Sequence, residues 1–171
     1  MYKVLAISGS LRENSSSNLI LKAIISMAPT ELEIEIFPSV GDLPHFNDPK
    51  EIPESVINFR NKIRLANALL ICTPEYAFGV PGALKNALDW TVGSGEFVGK
   101  PVSLITASSQ GEKGHAALLL ILTALSAKVI DEASLLISFV RSKLDDVGQI
   151  NDPILSEKLQ RAIDAIQKNI S

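Results

Sequence analysis

Short continuous apolar runs alternate along the chain with longer stretches in which apolar residues recur every three or four positions. The runs read as strands buried on both faces and the periodic stretches as helices, so the alternation predicts repeated βα units around a parallel sheet. Strands are expected at residues 3–8, 33–37, 68–72 and 101–107, and a fifth within 128–137, where Asp131-Glu132 is a candidate interruption. The first helix starts near Ser17 or Asn18, both good caps, carries Leu19, Ile20, Ala23, Ile24 and Met27, and stops at Pro29. The second follows Pro53 and carries Val56, Ile57, Arg60, Ile63 and Arg64; the third follows Pro81, and the fourth begins near Gly114. The last, from about Asp152 to Asn169, places Ile154, Leu155, Leu159, Ile163 and Ile166 on one face. Between the second strand and second helix, Pro38, Pro44, Pro49 and Pro53 with Gly41 predict a long irregular connection.

Five strands with intervening helices predict a three-layer α/β sandwich built as one domain over residues 1–171. Right-handed crossovers then bring the strand ends at Gly9, Thr73 and Ser108 to one edge of the sheet, where such folds bind ligands. Composition narrows the classes further. The chain is 46% hydrophobic but only 5% aromatic, so its apolar excess is aliphatic. Its most apolar segment, Ala116 to Leu125, is far shorter than the roughly 20 residues of a membrane-spanning helix. That segment is apolar around nearly its whole circumference, which predicts a second subunit as its outer cover, in a homodimer or a dimer of dimers. A net charge of −3 offers no general attraction for nucleic acid or an anionic membrane. With one cysteine and no signal-peptide pattern at the start, the reading is a cytoplasmic protein.

Loop one, Ser8 to Asn18, combines a glycine for a sharp turn, several serine hydroxyls, Arg12 and a helix N-terminus, which are the parts of a phosphate site; a solvated serine-rich turn is the alternative. It contains neither G-x-x-x-x-G-K-[ST] nor G-x-G-x-x-G. Cys72 ends an apolar strand without a C-x-x-C partner and reads as a buried, inert thiol. His45 and His115 lie far apart without acidic ligands at metal spacing, so no metal site is expected.

Loop two, Thr73 to Trp90, carries the run P-E-Y-x-x-x-x-P-G-x-L-K-N-A-x-D-W. Together with G-S-L-R after the first strand, it resembles the NADPH-dependent FMN reductase family of flavodoxin-like proteins, which includes quinone, azo-dye and chromate reductases. The resemblance spans nearly the whole chain and implies a flavodoxin-like five-stranded parallel sheet of order 2-1-3-4-5. It implies that Ser10, Arg12, Ser17 and Asn18 hold an FMN phosphate, with Ser16 as an alternative because the spacing from arginine to the S-x-N pair is one residue longer than usual. Pro74, Glu75, Tyr76, Ala77, Phe78 and Gly79 would line the isoalloxazine, as would Ser108, Ser109, Gln110 and Gly111 of loop three. The family's usual Gly-Gly-x-Arg after loop three is replaced by Gly114-His115-Ala116-Ala117.

The implied function is an FMN-dependent oxidoreductase that takes hydride from NADPH or NADH and delivers electrons to a small acceptor, a quinone, free flavin, azo compound or chromate, in ping-pong order. The flavin performs the redox step, so no catalytic side chain is nominated. The alternatives are a non-enzymatic flavodoxin-like electron carrier and a flavin-binding regulatory protein. Trp90 is expected against the sheet or a partner subunit rather than the flavin. The cluster of Tyr76, Phe78, Trp90 and Phe97 is assigned to the flavin loop and the subunit interface.

Overall fold

The computed structural model describes residues 1–145 and 147–170. Six parallel strands form its sheet: β1 (Tyr2–Ser8), β2 (Leu32–Ile36), β3 (Ala68–Thr73), β4 (Pro101–Ala107), β5 (Lys128–Val129) and β6 (Leu135–Ile137). Their order is β2-β1-β3-β4-β5, with β6 also paired to β4 beyond β5. The helices are α1 (Ser16–Met27), α2 (Glu54–Leu65), α3 (Gly82–Asp89), α4 (Glu112–Ala124) and α5 (Pro153–Ile170).

Alternation along the central strands splits the core in two. Leu5 and Ile7 of β1, Leu69 and Ile71 of β3, and Val102 and Leu104 of β4 meet α2, α3 and α4 on one face. Val4, Ala6, Ala68, Leu70, Cys72, Ile105 and Ala107 meet α1 and α5 on the other. All six residues of β3 are buried, as expected for a central strand covered on both sides.

The expected fifth strand is two strands, and the sheet has six rather than five. Asp131 and Glu132 are exposed on a 3-10 turn over Asp131–Ala133, which turns both carboxylates to solvent while burying Ala133. Unpaired carboxylates at those positions of a continuous buried strand would be costly, so the chain leaves the ladder and rejoins it. Ser103 Oγ donates to the Ala133 carbonyl at 2.9 Å and holds the detour against β4.

Two helical faces also differ from expectation. In α2 the buried set is Val56, Phe59 and Ile63, and Ile57 is exposed. In α5 the buried set is Leu155, Leu159, Ala162, Ile163 and Ile166, while Ile154 faces solvent. Trp90 and Phe97 are buried within the subunit's own core; Trp90 thus takes the first of its two expected places, against the sheet, and Phe97 belongs neither to an interface nor to the flavin loop. Trp90 Nε1 donates to the Pro44 carbonyl at 2.7 Å, and Phe46 packs edge-on against its ring at 5.1 Å. The long connection is thereby fastened to α3, where Asn86 Oδ1 also accepts from Phe46 N–H at 2.8 Å.

The end of β1 is the tightest point near the sheet edge. A Cβ at Gly9 would lie 2.2 Å from Thr73 Oγ1 and 2.6 Å from Thr73 Cβ. Thr73 is fully buried and cannot swing away. Gly9→Ala is therefore expected to destabilise the fold by roughly 1–3 kcal/mol, read as a lower urea midpoint at unchanged slope; an unaltered midpoint would refute this packing.

Candidate functional site

The carboxyl ends of β1, β3 and β4 open into a cleft of about 560 Å³. Arg12, Ser15, Ser16 and Ser17 form one end, Pro74, Glu75 and Tyr76 a second wall, and Ala107, Ser108 and Ser109 the floor beside β4. Phe139, Val140, Arg141 and Ser142, from the 3-10 turn after β6, complete it. Of the residues expected here, Arg12, Ser16, Ser17, Pro74, Glu75, Tyr76, Ser108 and Ser109 line the cleft. Ser10, Asn18, Ala77, Phe78, Gly79, Gln110 and Gly111 do not, and each has another part in the structure.

In loop one the helix cap is Ser15, whose Oγ accepts from Asn18 N–H at 3.2 Å. Asn18 turns back and donates through Nδ2 to the carbonyls of Arg12 and Glu13 at 2.9 and 3.0 Å. Ser10 Oγ accepts from Arg12 N–H at 3.3 Å. Ser10 and Asn18 thus shape the loop and do not line the cleft. Leu19 N–H is taken by the Ser15 carbonyl, so the N–H groups of Ser16 and Ser17 are the helix's unpaired first-turn donors.

Ser17 Oγ is buried without a hydrogen-bond partner, the one such side-chain atom among the described residues. Cys72 lies beside it without making a hydrogen bond of ordinary geometry; burial pushes its thiol up to about 12, against a smaller lowering by the Ser17 hydroxyl. Cys72 is therefore a protonated, unreactive core residue near neutral pH. A buried hydroxyl left unsatisfied costs free energy unless a ligand engages it. With two free N–H donors and Arg12 at the same end, the residues fit a phosphate monoester, and the cleft size suits a flavin nucleotide.

Loop two contains a two-residue turn between Tyr76 and Gly79. Tyr76 N–H donates to the Gly79 carbonyl at 3.0 Å and Gly79 N–H to the Tyr76 carbonyl at 2.9 Å. Ala77 and Phe78 between them have φ of +49° and +60°. That left-handed conformation costs roughly 1–2 kcal/mol per non-glycine residue, and it holds Phe78 out in solvent at 73% exposure. Loop two comes close to the start of α4 at Gly114, where a Cβ would lie 3.1 Å from Glu75 and 3.2 Å from the Gly79 carbonyl oxygen.

Glu75 joins the loops. Its Oε2 accepts from Gly114 N–H at 2.7 Å, capping α4 from outside the helix, whose own cap residue Gly111 has no side chain to offer. Its N–H donates to Ser108 Oγ at 3.4 Å. Gly111 takes φ +96°, and Gln110 offers its carbonyl to Ser138 Oγ at 2.8 Å, away from the cleft. Loop three in turn receives Val140 N–H on the Ser108 carbonyl and Phe139 N–H on the Ser109 carbonyl. Sequence reading missed Ser15 and the 139–142 turn; a serine three residues before Asn18 was a visible cap signal, whereas the turn has no motif.

A family profile described as NADPH-dependent FMN reductase matches residues 2–141. The chain belongs to the NADPH-dependent FMN reductase family. It is accordingly an oxidoreductase that uses FMN and NAD(P)H. It is 34% identical to an NAD(P)H-dependent FMN reductase of Pseudomonas aeruginosa over 96% of this chain and 93% of that one. A quinone reductase of Escherichia coli is 33% identical over 88% of this chain and 85% of its own length. Among solved structures, FerB, a flavoenzyme NAD(P)H:(acceptor) oxidoreductase from Paracoccus denitrificans, matches with a TM-score of 0.86 at 28% identity, over 99% of this chain and 97% of that chain. An archaeal flavodoxin shares the fold at a TM-score of 0.62 and 14% identity. The fold is therefore flavodoxin-like, and family membership sets aside the reading as a non-enzymatic carrier or regulator. Among the described residues no group of three or more His, Cys, Asp and Glu is placed to hold a metal, and no helix is long and apolar enough to cross a membrane.

His115, in the first turns of α4, has Nδ1 3.0 Å from Thr106 Oγ1 and Nε2 3.2 Å from Ser134 Oγ. Burial lowers its pKa from the ordinary 6.5, and a helix N-terminus also disfavours a cation. The unfolded chain therefore takes up a proton at a pH where the folded chain does not, so this contribution to stability is complete above about pH 6.5 and is lost as pH falls through the folded value. Urea midpoints from pH 8 to 5 should fall in the wild type and fall less steeply in His115→Gln; identical slopes would contradict this role.

Proposed function

We propose that this reductase takes electrons from NADPH or NADH and passes them, through FMN seated in the cleft, to a small quinone, free flavin, azo or chromate-type acceptor in ping-pong order. The observation that carries the reading is the N-terminus of α1, with its unpaired first N–H groups, the buried and unpartnered Ser17 hydroxyl and Arg12, on the same cleft as loops two and three. When bound, FMN supplies the hydride and electron chemistry between donor and acceptor. Arg12 with the N–H groups of Ser16 and Ser17 holds the phosphate, Arg12 by a bidentate fork and the helix end by oriented donors. Pro74 and Tyr76 flank the ring. Ser109, whose N–H has no protein partner among the described residues, offers a donor to a carbonyl edge of the ring where charge builds on reduction. The one carboxylate of the lining, Glu75, is engaged by Gly114 N–H, so the site acts by orientation and electrostatics and not by a general base. The exposed rim at Tyr76 and Phe139 leaves the cleft open to solvent, which suits donor and acceptor visiting in turn.

The same reading places the enzyme in the cytoplasm and pairs the outer face of α4 with a second copy. That face presents Ala116, Leu119, Leu120 and Ala124 to solvent, with Leu120 at 72% exposure. A helix covering one face of a sheet has no reason to be apolar on its other side unless something packs there.

The purified protein is expected to be yellow, to release FMN on denaturation, and to oxidise NADPH or NADH with a quinone in parallel-line double-reciprocal kinetics. Arg12→Ala should weaken FMN by about 10-fold or more while leaving riboflavin affinity unchanged. A protein that takes up no added FMN would overturn the reading, and equal losses for both flavins would move Arg12 away from the phosphate. Leu120→Arg should shift the sedimenting species to monomer; a wild type that is already monomeric would overturn the pairing.

A further inference from the structure

Arg141 belongs to none of the three loops that the family motif identifies. It lies on the 3-10 turn Val140–Lys143, which reaches the site only because of how the chain leaves β6. Phe139, ahead of the turn, adopts φ +52° and ψ +38°, a backbone conformation rare for a bulky residue. Its N–H donates to the Ser109 carbonyl at 3.0 Å, and Val140 N–H donates to the Ser108 carbonyl at 3.2 Å. These bonds seat the turn on loop three and bring Arg141 to the cleft wall.

Its place within the cleft is set by a second groove. Arg141 also lines an adjacent groove of about 460 Å³ with Asn14, Ser16 and Leu19, so it stands at the α1 end, where Ser16 and Ser17 present their unpaired N–H groups. Its guanidinium has no carboxylate partner among the described residues. Asp145, in the same groove, is occupied by the N–H groups of Val147 and Gln149 at 3.0 and 2.8 Å.

We propose that Arg141 is a second clamp on the FMN phosphate, acting with Arg12 at the α1 end of the cleft. The proposal rests on the reading of this cleft as the FMN site. A phosphate monoester carries a charge of roughly −1.5 to −2 at neutral pH, more than one guanidinium balances. The N-terminus of α1, where the buried Ser17 hydroxyl has no protein partner, is the end of the cleft that suits an anion, and Arg141 is the other cation lining that cleft. Because its turn is bonded to loop three, phosphate binding and the floor beneath the flavin ring are connected through one short segment.

The test titrates apo wild type, Arg12→Ala, Arg141→Ala, Arg141→Gln and Arg141→Lys with FMN and with riboflavin by fluorescence quenching. Thermal melts check folding, and the glutamine variant keeps the charge loss measurable if the alanine variant fails to fold. Arg141→Ala or Arg141→Gln is expected to weaken FMN about 10-fold or more, leave riboflavin unchanged and flatten the salt dependence of FMN affinity, with part of the loss restored in Arg141→Lys. If Arg12→Ala loses FMN preference and the Arg141 variants keep it, this proposal fails while the cleft reading stands. If the wild type does not prefer FMN over riboflavin, the phosphate reading itself fails and this proposal with it. A rise in KM for NADPH at unchanged flavin affinity would place Arg141 against the nicotinamide nucleotide and overturn the proposal.

Discussion

All six residues of β3 are withdrawn from water because the strand runs between β1 and β4 with helices on both faces. A strand buried in this way can carry no polar chemistry along its length. Hydrogen-bonding groups are therefore concentrated where the strands end, and parallel pairing puts the ends of β1, β3 and β4 on one edge. The cleft, its serines and its arginines stand there for that reason. Gly9 shows how close the edge is drawn: the backbone after β1 passes so near Thr73 that no side chain fits between them.

The edge is then stiffened by bonds between loops that are distant in sequence. Glu75 ties loop two to Gly114 and to Ser108, and the turn after β6 ties itself to Ser108 and Ser109. Most polar groups near the cleft are occupied in this network. Among the groups left unoccupied, Ser17 Oγ and the first N–H groups of α1 gather at one end beside Arg12 and Arg141, and that gathering is what fits an anion. The strained turn at Ala77 and Phe78 persists because Tyr76 and Gly79 are bonded across it in both directions.

Much of the fold was legible in the amino-acid pattern. Four of the strands and all five helices lie within a few residues of where periodicity puts them, since burial on one or both faces writes itself into local spacing. The errors have identifiable causes. Ile154 is as apolar as Leu155 but falls just off the buried stripe, and only the orientation of α5 against the sheet selects Ala162 in its stead. Phe97 was grouped with the flavin loop and the interface because of its neighbours in sequence, yet its ring fills the core, where Trp90 takes the first of its two expected places, against the sheet. In the site, Ser10 and Asn18 were legible as parts of the phosphate loop, but their side chains bond to the loop's own backbone.

The sequence by itself determined the alternation of strands and helices, the doubly covered parallel sheet and the two motifs that place the chain in its family, because hydrophobic period and motif spacing are properties of neighbouring residues. The tertiary structure decided which glycine admits loop two, that Glu75 holds α4, and that Arg141 reaches the cleft. Those outcomes depend on hydrogen bonds and approaches of about 3 Å between segments far apart in the chain, and no local pattern encodes such distances.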